Sequence, residues 1–177
     1  SYTGAVMTLP TGVLAVAENN YGRPDKALEY LQKMSKSFSY ALPGSMYEVS
    51  PDYGMITQAW NIYGFAIPIV QQFFGIQPQA AQKKVRIAIQ MPQAWEDASL
   101  EHVAIADNEI SIFYKKTKET IELSVTQKNT DWELELVFPK GEKTSYAIVQ
   151  GDVETQEASD QIVCTSKDAK VTVQINK

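Results

Sequence analysis

The segment GSMYEVSPDYGMITQAW, residues 44–60, gathers the residue types that could carry chemistry. Glu48 follows Tyr47, and Asp52 and Tyr53 come within the next five positions. Trp60 then opens a strongly apolar stretch. Carboxyl groups serve as general acids and bases, and aromatic rings offer flat apolar faces. This combination describes a sugar-binding active site, although Gly, Pro and Asp ahead of a helix also describe an ordinary surface turn.

The elements that would position these residues begin with three predicted helices. Residues 24–38 place Pro24 and Asp25 in a first turn, and their apolar residues recur at helical spacing. Residues 11–19 predict the preceding helix of a hairpin. Residues 55–74 predict a third helix with a kink at Pro68, which lacks a backbone donor.

The third predicted helix is apolar on nearly every side. Its length approaches that of a bilayer crossing, but it carries four amide side chains, at Gln58, Asn61, Gln71 and Gln72. Buried amides are costly in lipid, so the helix is expected inside a water-soluble helical domain. Two other helices cannot cover it. The chain is therefore expected to self-associate through this helix, or to pack on helical hairpins of a larger domain that lies upstream.

A change of period marks a predicted domain boundary near Gln82. Residues 1–82 are helical hairpins, and from Val85 onward apolar and polar residues alternate as in strands. Asp107 and Asn108 separate two such runs, which predicts a hairpin turn. About eight short strands without helical pattern predict an antiparallel β-sandwich over residues 83–177.

Composition excludes several classes of partner and site. The formal charge is −5 without basic clusters, which argues against nucleic acid and anionic membranes. Cys164 is the single cysteine and His102 the single histidine, so no intrachain disulfide forms and no metal or cofactor is expected. Both residues are interpreted as structural, as is Trp132 in its predicted strand. The compartment stays open, with a periplasmic or secreted protein favoured over a cytoplasmic one.

The chain resembles the C-terminal end of a six-hairpin, (α/α)6-barrel glycoside hydrolase. This group includes glucoamylases, glycogen-debranching amylo-1,6-glucosidases and bacterial α-L-rhamnosidases, and the debranching enzymes are the most similar. The resemblance rests on Glu48, the loop SPDYG and the helix opening TQAWNIYGFAIPIV, and it covers nearly the whole chain. The segment FFGIQPQA, followed by alternating strands, resembles the family's passage into its C-terminal sandwich, and QMPQAWEDASLEHVAI resembles the segment that packs the two domains together.

The resemblance implies an activity and a role for Glu48. The parent protein would cleave α-linked glycans by inversion, with Glu48 as general base and carbohydrate as its partner. The general acid would lie upstream, so this chain alone would be inactive. Tyr47, Tyr53, Trp60 and Asp52 would contact the substrate.

Less specific readings of the same residues stand beside this one. Glu48 fits a solvated loop carboxylate, Asp52 a turn former and Trp60 a packing residue. The whole chain also fits a non-catalytic carbohydrate-binding module. Alternatively, its sandwich is a structural cover for the helices.

Overall fold

A computed structural model describes residues 6–38, 42–50 and 54–176. The chain divides into two compact units, one of Ser1–Phe73 with Gln90–Gln93 and one of Phe74–Ile89 with Ala94–Lys177. The first is mainly helical and the second is built of strands, which confirms the predicted mixed α+β class at this coarse level. The units part before the expected boundary, because the residues just after Phe74 join a sheet of the second unit.

The described residues of the first unit include three α-helices: α1 (Thr8–Asn20), α2 (Pro24–Ser35) and α3 (Ala59–Ala66). The buried positions of α2 are Ala27, Leu31 and Met34, the helical stripe that the sequence predicts. Pro24 begins this helix, where its missing N–H costs nothing. Among the described residues, no helix is long and apolar enough to cross a bilayer.

The third predicted helix is shorter and less regular than residues 55–74. The α-helical part ends at Ala66, and a π-helix over Ile67–Phe73 continues it. Pro68 lies in this wider segment and is buried. Proline gives no N–H to the carbonyl one turn earlier, so the sequence predicts a kink at this position. In the structure the helix instead continues with wider turns, which accommodate the missing hydrogen bond.

Helices α1 and α3 approach each other at two glycines. A Cβ atom added at Gly12 would overlap the Cα of Gly64, and one added at Gly64 would come within 3.2 Å of the Gly12 Cα. The two backbones are therefore in direct contact at this crossing. Thr8 lies one turn before Gly12 and is also buried, so the crossing fixes the start of α1.

A two-stranded sheet joins the start of the chain to the segment that carries Glu48. Strand β1 (Val6–Met7) pairs antiparallel with β2 (Val49–Ser50), and Met7 lies opposite Val49. Val49 is fully buried. This short pairing places the residue before β2 beside the N-terminus of α1.

Two five-stranded sheets form the second unit, which is β-sandwich-like as predicted. Their orders along each sheet are β10-β11-β8-β4-β3 and β5-β6-β7-β12-β9. The strands are β3 (Ile76–Gln79), β4 (Lys84–Ala88), β5 (Asp97–Ile105), β6 (Asn108–Lys116), β7 (Thr120–Gln127), β8 (Glu133–Pro139), β9 (Ser145–Gln150), β10 (Glu154–Glu157), β11 (Gln161–Ser166) and β12 (Lys170–Asn176).

The pairing departs from the sequence-based expectation in one place. Strands β4 and β8 run parallel, with Val85 opposite Leu134, whereas the prediction was an antiparallel sandwich. The predicted hairpin at Asp107 is confirmed, since Ile105 pairs with Asn108 across a two-residue turn.

Trp132 and Cys164 lie in the interior of the second unit, as their structural interpretation expects. The Trp132 ring is fully buried and its Nε1–H donates to Asp107 Oδ1 at 2.8 Å. Burial raises the pKa of the Cys164 thiol, which keeps it protonated and unreactive.

Candidate functional site

Glu48 stands at the base of a loop that its own atoms close. Its backbone N–H donates to Met55 O at 2.9 Å, and the Met55 N–H donates back to the side-chain Oε2 of Glu48 at 3.0 Å. The side chain is half-buried. One residue thus uses both its backbone and its carboxylate to fix the far end of the loop.

Gly54 makes room for this carboxylate. Its φ is +74°, a conformation that favours glycine, and a Cβ atom there would overlap Glu48 Oε2. The same Cβ would lie 2.9 Å from the carboxylate carbon. The placement of the Glu48 side chain against the loop backbone therefore depends on the absence of a side chain at Gly54.

Helix α1 holds the opposite side of Glu48. The Thr8 N–H donates to Glu48 O at 3.1 Å, and the Thr8 hydroxyl donates to Tyr47 O at 3.0 Å. Thr8 is only 1% exposed, so these bonds lie away from competing water. The first residue of α1 thereby fixes the backbone of Tyr47 and Glu48 together.

Asn61 holds the same segment from α3. Its Nδ2 group donates to Met46 O at 3.3 Å and to Tyr47 O at 3.2 Å, and the residue is 1% exposed. A buried amide that satisfies two carbonyls of an irregular segment stabilises one conformation of that segment. The backbone leading into Glu48 is consequently tied to two helices.

The residues predicted to contact substrate fall into two groups. Trp60 lies in the first turn of α3 with 53% of its surface exposed, and Tyr47 is half-buried next to Glu48. Because Asn61 binds the carbonyl of Tyr47, the helix start that bears Trp60 is anchored to the Glu48 segment. Asp52 and Tyr53 lie outside the described residues, so their predicted roles stay predictions.

Sequence reasoning missed the residues that position Glu48. The sequence gives no indication that Thr8 binds the Glu48 segment, because its partners are about forty positions away along the chain. In the sequence, Asn61 indicates only an amide side chain that opposes membrane insertion. In the sequence, Gly54 fits the role of a turn former. The structure adds a second requirement for glycine, because a Cβ atom at this position would lie 2.9 Å from the Glu48 carboxylate carbon.

In this arrangement the Glu48 carboxylate keeps unused hydrogen-bond acceptor positions. Oε2 is engaged by one backbone N–H, while a carboxylate has about four acceptor positions on its two oxygens. Such a group can accept a proton from water or a hydrogen bond from a hydroxyl group. Within the described part of the chain, no group of three or more His, Cys, Asp or Glu side chains could hold a metal ion.

Comparison with known proteins adds no family to this geometry, since no protein-family model matches the sequence and no curated protein matches it either.

Proposed function

We propose that this chain is the C-terminal part of a six-hairpin glycoside hydrolase that cleaves α-linked glycans with inversion, and that Glu48 is its general base. The sequence resemblance covers nearly the whole chain. The order of elements is compatible with it, because a helical hairpin of α1 and α2 comes first, an aromatic-led helix follows, and a sandwich-like unit completes the chain.

The observation that carries the proposal is the support around the Glu48 carboxylate. A general base needs a fixed position and an unshared acceptor, since misplacement by about 1 Å costs much of the rate. Glu48 is held through its backbone by Thr8 and Met55, and through Oε2 by the Met55 N–H. No bond from a described residue to Oε1 is found, which leaves that oxygen as the candidate proton acceptor.

In the proposed reaction, Glu48 takes a proton from water as this water attacks the anomeric carbon. A second carboxylic acid protonates the leaving oxygen from the other side of the sugar ring. Inverting enzymes hold the two carboxyl groups about 6.5 to 9.5 Å apart, which leaves room for the water. That acid is proposed to lie in upstream hairpins. Trp60 and Tyr47 would offer ring faces to the sugar.

The surface of the helical unit supports a place within a larger helical assembly. Helix α1 exposes Val13 and Leu14, and α3 exposes Ile62 and Tyr63, each by 45% or more. Apolar residues exposed on two neighbouring helices are typical of a surface that another helix covers. The remaining hairpins of an (α/α)6 barrel are the proposed cover.

A different role is proposed for the sandwich-like unit. Carbohydrate-binding sheets present aromatic rings on an open face, but Trp132 and Tyr114 are buried here. Phe113 is exposed by 40%. Trp95 and Tyr146 are half-buried, so the described part of this unit shows no row of open aromatic rings, which favours a structural role over a carbohydrate-binding one.

The test is the turnover of α-glucans and aryl α-glycosides by the parent enzyme carrying Glu48→Gln. Loss of a general base lowers kcat by about 10² to 10⁴, while ground-state binding changes little. Glu29→Gln, an exposed carboxylate on α2, is the matched control and keeps full activity. The present chain alone should show no turnover, because it lacks the proposed acid. A Glu48→Gln enzyme within about threefold of wild type would overturn the proposal.

A further inference from the structure

Both polar groups of the peptide bond between Tyr47 and Glu48 are held by tertiary contacts. The Tyr47 carbonyl accepts from the Thr8 hydroxyl at 3.0 Å and from Asn61 Nδ2 at 3.2 Å. On the other side of the same peptide, the Glu48 N–H donates to Met55 O at 2.9 Å. Because a peptide unit is planar, these partners together fix its orientation, and this limits where the Glu48 side chain can point.

Asn61 is the partner that connects this peptide to α3. It is 1% exposed, and its Nδ2 group also donates to Met46 O at 3.3 Å. Trp60, the residue before it, is 53% exposed, as expected for consecutive positions about 100° apart around a helix. One short stretch of α3 therefore presents Trp60 to the solvent and Asn61 to the peptide before Glu48. A shift of this stretch moves both side chains together.

We propose that Asn61 is a positioning residue that sets the place of the Glu48 carboxylate relative to the Trp60 ring. This inference rests on the proposed function, in which Glu48 activates water and the Trp60 ring lies against the sugar. Sugar and water must then meet at a fixed separation, and misplacement by about 1 Å costs much of the rate. Asn61 acts without touching either of them, because it ties the base to the helix that carries the sugar-binding ring.

Asn61→Leu tests this role, since it removes the donor and keeps a similar side-chain volume. In the parent enzyme we expect kcat to fall about tenfold with KM nearly unchanged, because the sugar still meets Trp60 while the base is displaced. Asn19→Leu is the matched control. Asn19 is an asparagine of α1 with 3% exposure, and its Nδ2 group donates to Gln72 Oε1 at 2.9 Å. This control should lower stability without changing kcat or KM.

Asn61→Asp separates positioning from a loss of folding. The new carboxyl group would be buried beside two carbonyl oxygens, which raises its pKa and favours the protonated form. Its O–H can then donate to the Tyr47 carbonyl, whereas the ionised form has no donor. The ratio of kcat in this variant to kcat in the wild type should therefore fall as the pH rises. The same ratio for Asn61→Leu should stay constant.

A second measurement needs no hydrolysis. In the isotopically labelled 177-residue chain, the Met55 amide proton senses ionisation of the Glu48 carboxylate to which it donates. Glu48→Gln identifies this NMR signal by removing its pH dependence. Asn61→Leu should reduce the pH-dependent shift of the Met55 signal, because hydrogen bonds weaken steeply as distance and angle change. Asn19→Leu should leave the shift as it is in the wild type.

The outcomes distinguish this proposal from the proposed function. An unchanged Met55 shift in Asn61→Leu would overturn the positioning role, and so would a variant enzyme with raised KM and unchanged kcat. Equal losses of kcat in Asn61→Leu and Asn19→Leu would also overturn it, because they would show a general effect of stability. A reduced Met55 shift together with a fully active Glu48→Gln parent enzyme would refute the proposed base, while it supports Asn61 as the residue that places the carboxylate.

Discussion

Glu48 and Met55 are joined by two opposed hydrogen bonds, one between their backbones at 2.9 Å and one from the Met55 N–H to the Glu48 carboxylate at 3.0 Å. The first bond resembles a single bridge of a β-sheet. In the second, which we call the clamp, the Glu48 carboxylate accepts from the Met55 N–H. The clamp orients a carboxylate while it closes the loop. Any change that loosens the loop should therefore also displace the carboxylate.

Replacement of Gly54 tests this coupling directly. Gly54→Ala places a Cβ atom where the Glu48 carboxylate lies and also imposes a residue with a side chain on φ +74°. We expect a loss of about 2 to 4 kcal/mol in the free energy of unfolding, from backbone strain and from displacement of the carboxylate. Urea unfolding measures the loss.

Gly22→Ala is the matched control for Gly54→Ala. Gly22 has φ +71° but nothing within 4 Å of an added Cβ, so only the backbone cost of about 1 to 2 kcal/mol applies. The difference between the two variants isolates the contact with Glu48. Equal losses in both would contradict a tight fit of the carboxylate on Gly54.

Gly12 and Gly64 meet where α1 crosses α3, and their substitution by alanine should change the free energy of unfolding by unequal amounts. Gly12→Ala would overlap the Gly64 Cα, whereas the Cβ of Gly64→Ala meets the Gly12 Cα at 3.2 Å. Alanine in a helix gains up to about 1 kcal/mol over glycine, but overpacking against backbone costs about 1 to 3 kcal/mol. We expect Gly12→Ala to be clearly destabilising and Gly64→Ala to be near neutral. Thermal and urea unfolding of both variants provide the comparison, which the reverse order would contradict.

Local periodicity accounts for the parts of the fold that the sequence predicts. The apolar stripe of α2 and the alternation along β6 each arise within about ten residues, so they are visible without knowledge of the tertiary structure. The turn before Asn108 is equally local, since a polar pair interrupts two alternating runs. Secondary structure of this kind follows from which face of an element must be buried.

Contacts between residues that are far apart along the chain account for the parts of the fold that the sequence does not predict. Thr8 meets Glu48 through the tertiary structure, and no pattern near either residue encodes that contact. The parallel pairing of β4 with β8 joins residues almost fifty positions apart. Short strand β3 contains Pro78 and shows no alternation of buried and exposed residues, yet it pairs with β4 at the edge of its sheet. The candidate site depends on such contacts, which is why the sequence points only to Glu48 and its neighbours along the chain.

The exposed apolar face of α1 and α3 predicts self-association of the chain. Leu14 and Tyr63 are 49% and 45% exposed, and apolar side chains exposed on two neighbouring helices favour association in water. The double variant Leu14→Lys with Tyr63→Lys should shift the chain toward the monomer in light scattering. Ile148→Lys with Val149→Lys, on the second unit, is the control with equal added charge. A wild-type chain that stays monomeric at every concentration and binds no apolar dye would refute the prediction.

The ion cluster on β4 and β8 predicts a pH dependence of stability. Burial alone would raise the pKa of Glu135, but hydrogen bonds from Lys84 and Arg86 outweigh it and hold the pKa below its ordinary value. A carboxyl group with a lowered folded-state pKa stabilises the fold above its unfolded pKa, about 4.3, and loses that contribution as the pH falls through the folded value. The free energy of unfolding should therefore decrease on acidification.

Glu135→Gln should remove that part of the pH dependence. We expect it to cost about 1 to 2 kcal/mol near neutral pH, because the pairing of a carboxylate with two cations is lost and the amide offers one acceptor oxygen instead of two. Below about pH 4 the difference between the variant and the wild type should shrink. Urea unfolding at several pH values measures it, with Glu154→Gln on the exposed strand β10 as control. A constant difference at all pH values would exclude titration of Glu135 as its cause.

Substitutions of Glu48 in the 177-residue chain separate its role in closing the loop from its proposed role as a base. Glu48→Gln keeps a side-chain oxygen that can accept the Met55 N–H, so the free energy of unfolding should change by less than about 0.5 kcal/mol. Glu48→Ala removes that acceptor and should cost about 0.5 to 1.5 kcal/mol. Both variants remove the basic group, so both should inactivate the parent enzyme. If Glu48→Gln were as destabilising as Glu48→Ala and the parent enzyme stayed active, the carboxylate would serve only to close its loop.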